Sequence, residues 1–196
     1  MRYCLLLLFS FFITADAHAV ILIHGNTADT SVACTEFQSE TSTTGAGNSS
    51  FGDVSATKWR ATRFVATSTT TVCEVEIEFR KTGSATFNVV VSIYSDTDAG
   101  GGNFEPDALI GTASDSVNGT AIVHLAYHKF ENLSASITNT TAYWIVLTAD
   151  GNNASNYLNW RFNSASTTER LERSSDGITW TNASTSVGGN HRLFGQ

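Results

Sequence analysis

Thr71 to Ser95 reads TVCEVEIEFRKTGSATFNVVVSIYS, and both halves of it alternate. In the first half Cys73, Val75, Ile77 and Phe79 interleave with Glu74, Glu76 and Glu78; in the second, Phe87, Val89, Val91 and Ile93 share a face. A period of two is that of a β-strand with one apolar and one polar side. Arg80 to Thr86, with Gly83, separates the halves. The simplest reading is a β-hairpin that packs its apolar face and wets the other.

Strand signals continue outward from there. Upstream, Arg60 to Thr67 reads as a strand carrying Phe64 and Val65. Downstream, a polar loop from Asp96 to Asp107 holds Pro106, and Ala108 to Ser114 and Thr120 to Tyr127 follow as shorter strands. Thr141 to Thr148, TAYWIVLT, is apolar on both faces, which suits a central strand covered on both sides or a sandwich interior. Tyr157 to Phe162 sets Leu158, Trp160 and Phe162 on one face; a turn at Ser174 to Gly177 leads to Ile178–Thr181 and Arg192–Phe194. Helical periodicity is almost absent. About eight to ten short strands separated by turn residues predict an all-β chain, a single β-sandwich of jelly-roll or immunoglobulin-like type. Residues 58–196 would form its body, and residues 20–57 would join the same domain as a strand at Val20–Ile23 and a mostly looped, polar stretch from Asn26 to Gly52.

Residues 1–19 have another character. Arg2, the apolar run Leu5 to Ile13 and Ala17-His18-Ala19 have the form of a secretory signal peptide cut before Val20. The run is too short to span a membrane comfortably, and no second one of membrane length follows. Export to the cell surface, the medium or the periplasm is expected. Cys4 leaves with the signal, so Cys34 and Cys73 remain as an even pair in an oxidising compartment and are expected to form a disulfide. Neither has the histidine neighbours of a zinc site. A net charge of −7 with only 15% charged residues and no basic stripe excludes nucleic acid as a natural partner.

Three constellations could carry chemistry. Glu74, Glu76 and Glu78 share one strand face, with neighbours about 7 Å apart. The pattern resembles the E-x-D-x-E strand of laminarinase-like glycosidases, which would make Glu74 the nucleophile, Glu76 the assisting carboxylate and Glu78 the acid/base. Glu replaces the central Asp, and the tryptophans that flank that motif are absent. The other account is a polar sheet face that discourages edge-to-edge association. Asp96, Asp98 and Asp107 are spaced like ligands of an EF-hand loop, and calcium would be the ion, since every donor is oxygen. A solvated loop explains the same residues. Trp59, Trp180 and Tyr157 are the aromatics best placed for exposure and for stacking on a sugar ring, whereas Trp144 and Trp160 lie in apolar strands and read as core. VILIHG at Val20–Gly25 resembles the oxyanion strand of α/β-hydrolases, but no G-x-S-x-G follows it.

The succession RFVATSTTTVCEVEIEFRKTGSATFNVVVSIYSDTD, ALIGTAS, TAYWIVLTAD, SSDGITWTN and RLFGQ resembles the bacterial exported β-sandwich domains called choice-of-anchor, type R in particular, from Arg60 to the end. The resemblance implies an extracellular or cell-surface module of unestablished activity, attached in different proteins to different sorting tails. No such tail follows RLFGQ, so a released protein, or one held by non-covalent contacts, is expected. In a bacterial chain the Asn-x-Ser/Thr sequons at Asn48, Asn118, Asn132, Asn139, Asn153 and Asn182 arise from composition. The expected role is non-enzymatic: structural, adhesive or binding, toward a surface protein or a glycan.

Overall fold

The computed structural model describes residues 33–41, 47–98, 102–163, 170–184 and 187–196. The expected signal peptide and the strand Val20–Ile23 lie outside the described residues. The strands begin with β1 (Thr35–Glu40), β2 (Gly47–Phe51), β3 (Trp59–Val65), β4 (Thr70–Thr82) and β5 (Asn88–Asp98). They continue with β6 (Phe104–Ile110), β7 (Val117–Asn118), β8 (Ala126–Phe130), β9 (Ala135–Ile137) and β10 (Ala142–Ala149). The last are β11 (Tyr157–Asn163), β12 (Leu171–Ser174), β13 (Thr181–Ser184), β14 (Gly188–Gly189) and β15 (His191–Gly195). The only helix among the described residues is a single 3-10 turn at Ser55–Thr57.

Two antiparallel sheets pack face to face. The first runs β1-β15-β4-β11-β14, with β2 on β11 and with β8 and β9 on β4; the second runs β13-β12-β3-β10-β5-β6, with β7 on β5. Val75, Ile77 and Phe79 of β4, Leu158 and Trp160 of β11 and Leu193 of β15 meet Phe64 of β3, Val89, Val91 and Ile93 of β5, and Ile145 and Leu147 of β10. Each such side chain contributes about 1.5–3 kcal/mol by leaving water. The architecture is the expected β-sandwich, with more and shorter strands than the sequence suggested.

The stretch that decides the fold does so differently from a hairpin. β4 belongs to the first sheet and β5 to the second, so the two do not pair. Gly83 to Phe87 forms an arch between the sheets, and the two apolar faces look at each other across the core. Alternation is the same in a hairpin and in an arch, which is why the pattern does not distinguish them. The arch is held from outside: Asn156 Oδ1 accepts the Ser84 N–H at 2.7 Å, and Asp150 accepts both the Asn88 backbone N–H and its side-chain amide at 2.7 Å. Gly83 has φ +62°, and a Cβ there would lie 2.3 Å from Asn156 Oδ1, so the arch needs glycine.

Four other expectations are corrected. The stretch Asn26–Gly52 contains β1 and β2, polar strands without alternation that take their register from β15 and β11. Asp96–Asp107 is largely a hairpin of β5 with β6, and Pro106 is tolerated because β6 is the last strand of its sheet. Thr120–Leu125 is not a strand: Asn118 Oδ1 accepts the Thr120 N–H at 2.9 Å, and the Lys81 ammonium draws in the carbonyls of Gly119, Thr120 and Ile122. Val123 and Leu125 are exposed, and Leu125 has φ 56°. The strand expected at Ile178 begins only at Thr181, because Asp176 Oδ1 accepts the N–H groups of Ile178 and Thr179 at 2.9 Å and prolongs the turn.

Candidate functional site

The second sheet carries a small aromatic core on its outer face. β10 sits between β3 and β5, and its outward residues Trp144 and Val146 are fully buried together with Ala61. Trp59, Tyr94, Phe104 and Trp180, all partly exposed, cover them. Trp59 and Trp180 meet edge to face, ring centres 6.4 Å apart and planes at 89°. The turn that brings Trp180 here depends on Gly177, whose φ is +76° and whose missing Cβ leaves room for the Trp59 ring at 2.8 Å.

Charge is laid out around these rings. The Arg63 guanidinium donates to both Asp96 oxygens at 2.9 and 2.7 Å, and Trp144 Nε1–H donates to Asp96 Oδ1 at 2.7 Å. The same guanidinium lies 4.3 Å from the Phe104 ring centre, with Arg170 at 5.3 Å from it. Glu172 of β12, paired in register with Ala61, is only 3% exposed. Burial pushes its carboxyl up to about 7; Arg170 opposes the shift and Glu105 adds to it. The face therefore offers half-covered rings beside two arginines and a carboxyl that titrates near neutrality. Such a surface can stack on an apolar sugar face and hydrogen-bond its hydroxyls.

The outer face of the first sheet is a ladder of ion pairs, where the sequence predicted a wet one. Lys129 lies 3.0 Å from Glu74, Arg192 3.1 Å from Glu76 and Arg161 3.1 Å from Glu78. Glu78 also accepts from Asn190 Nδ2 at 2.7 Å. Register makes the ladder: Glu76 stands opposite both Arg192 and Lys129, and Glu78 opposite Tyr127. These partners lie over the carboxylates, so Glu74 and Glu76 are 7% and 9% exposed. Tyr127, under the Arg192 guanidinium, is pushed up to about 12 by burial and by Glu78. All three carboxylates are held by cations, a poor arrangement for a nucleophile and a proton donor.

Of the aromatic trio, Trp59 and Trp180 are brought together, but Tyr157 lies on β11 in the other sheet, half-buried and opposite Thr82. Trp144 and Trp160 are fully buried, as their strands suggested. The three aspartates expected at a calcium ion have other engagements. Asp96 is committed to Arg63 and Trp144, Asp107 accepts from the Ser95 hydroxyl at 3.3 Å, and Asp98 ends β5. Among the described residues no group of His, Cys, Asp or Glu is placed to hold a metal. Cys34 and Cys73 are bonded, tying the start of β1 to β4 across 39 residues. That bond fits an oxidising compartment. Sequence reasoning missed Tyr94, Phe104, Arg63 and Glu172; the one signal for them was the two-sided apolar strand TAYWIVLT, whose outer half had to be covered by something. Compared with known proteins, the chain matches no family model, no curated protein and no solved structure.

Proposed function

We propose that this chain is an exported, non-enzymatic β-sandwich module that works by binding, and that its ligand is a glycan taken on the outer face of the second sheet. The observation that carries the reading is the perpendicular Trp59–Trp180 pair, half-covered and seated on buried Trp144, in a setting of arginines and acids. Rings fixed in this way lose little freedom on stacking, which favours binding by a pre-formed surface. The resemblance to exported bacterial surface domains points the same way, as do the form of residues 1–19 and the disulfide. The ion-paired glutamates of the first sheet favour binding over hydrolysis.

The test is a titration of the protein with soluble oligosaccharides, followed by tryptophan fluorescence and calorimetry. Trp180→Ala is expected to weaken binding roughly ten-fold or more, as removal of a central aromatic contact does, while the thermal midpoint reports any loss of packing. Unchanged affinity in a folded Trp180→Ala protein refutes the placement of the site.

A further inference from the structure

A second place in the molecule has no assigned role. Arg60 leaves β3 on its inner face and reaches toward the first sheet, where its Nε–H donates to the Ser50 carbonyl at 2.7 Å. It is 4% exposed, yet it forms none of the ion pairs among the described residues. A buried guanidinium without a carboxylate is costly, because it has left water and gained no countercharge. Arg173 adds to that cost: burial first and Arg173 second pull the Arg60 guanidinium down to about 10, with Asp53 acting weakly the other way. Asp53 itself is engaged by Thr57 and the Val54 turn.

Both arginines line one cleft of about 420 Å³, between the two sheets. Asn48 and Ser49 of β2 supply polar groups from one side, Asn182 of β13 from the other, and Phe162 of β11 an apolar wall. No carboxylate is among the described residues that line it. In a chain of net charge −7, two converging cations with no acid between them among the described residues are out of keeping with the rest of the surface. A guanidinium presents a planar fork of N–H donors that matches a carboxylate. The volume falls in the lower part of the range of small-molecule sites.

We propose that this cleft binds a hydroxylated carboxylate of the size of one sugar acid, its carboxylate on Arg60 and Arg173 and its hydroxyls on Asn48, Ser49 and Asn182. The site is separate from the aromatic face, so either can fail without the other. Phosphate and sulfate share the charge but not the hydroxyls, and neutral sugars share the hydroxyls but not the charge.

Calorimetric titration of the purified protein at low salt, with glucuronate, glucose and inorganic sulfate as probes, decides it. The expected result is binding of glucuronate more tightly than either control, weakened about ten-fold or more by Arg173→Gln and untouched by Trp180→Ala. Arg173 is exposed, so its replacement leaves the fold intact; Arg60→Lys, which keeps the charge and loses the fork, is expected to weaken binding as well. No binding of glucuronate, equal binding of glucose, equal or tighter binding of sulfate, or an Arg173→Gln protein that binds as before would each overturn the proposal.

Discussion

Glu172 and His191 set two opposing pH dependences inside one small protein. Glu172 holds its proton more tightly when folded, up to about 7 from an ordinary 4.5, because burial penalises its charge. Its contribution to stability is therefore complete below about 4.5 and is lost as the pH rises through 7. His191 is fully buried, donates Nδ1–H to the Gly189 carbonyl at 2.7 Å, and leaves Nε2 without a hydrogen-bond partner among the described residues. Burial pulls it from 6.5 down to about 4, so its contribution is complete above 6.5 and is lost as the pH falls through 4. Between roughly 4.5 and 6.5 the two trends oppose each other. Glu172→Gln should unmask the histidine: the thermal midpoint of the variant should climb with pH across that window, while the wild-type midpoint stays nearly level. A variant whose profile runs parallel to the wild type would show that Glu172 is not held protonated.

At the level of elements, the Cys34–Cys73 bond fastens an otherwise polar edge. Among the described residues β1 pairs only with β15, and its sequence, TEFQSE, offers little apolar surface. Closing a loop of 39 residues stabilises by roughly 3–4 kcal/mol in the chain-entropy account. Replacing both cysteines by serine should lower the unfolding free energy by about that amount, read from denaturant midpoints, and reductant should no longer shift the midpoint of the variant. The same edge shows what was legible in the sequence. β4 and β5 announce themselves by apolar side chains at a period of two, because the core selects them, and β10 by a run that is apolar on both faces. β1 and β2 have no such face; register with β15 and β11 makes them strands, and register is a property of the partner. The arch at Gly83–Phe87 was hidden for a related reason, since alternation records which residues face the core and not which sheet they join. Trp59 and Trp180 were legible as partly exposed rings, but their neighbours Arg63, Tyr94 and Glu172 come from three strands that only the sheet order brings together.

For the whole molecule, the two outer faces divide the labour. The first sheet turns outward a ladder of matched charges that is complete in itself. The second turns outward rings that are only half covered, with arginines and a buried acid among them. A sandwich needs its inner faces to fold; the aromatic cluster outside is the surface on which the proposed binding rests. Glu76 is the residue that separates binding from hydrolysis, because it is the central carboxylate of the one glycosidase-like strand and has no part in the aromatic face. The most direct measurement is retention of the purified protein on a panel of soluble and insoluble polysaccharides, with reducing ends assayed in the same tubes, for the wild type and for Glu76→Gln. The account predicts retention on at least one glycan, no released sugar, and equal retention of the folded Glu76→Gln protein. Release of reducing sugar that Glu76→Gln abolishes would contradict it, and would make the glutamate strand an active site.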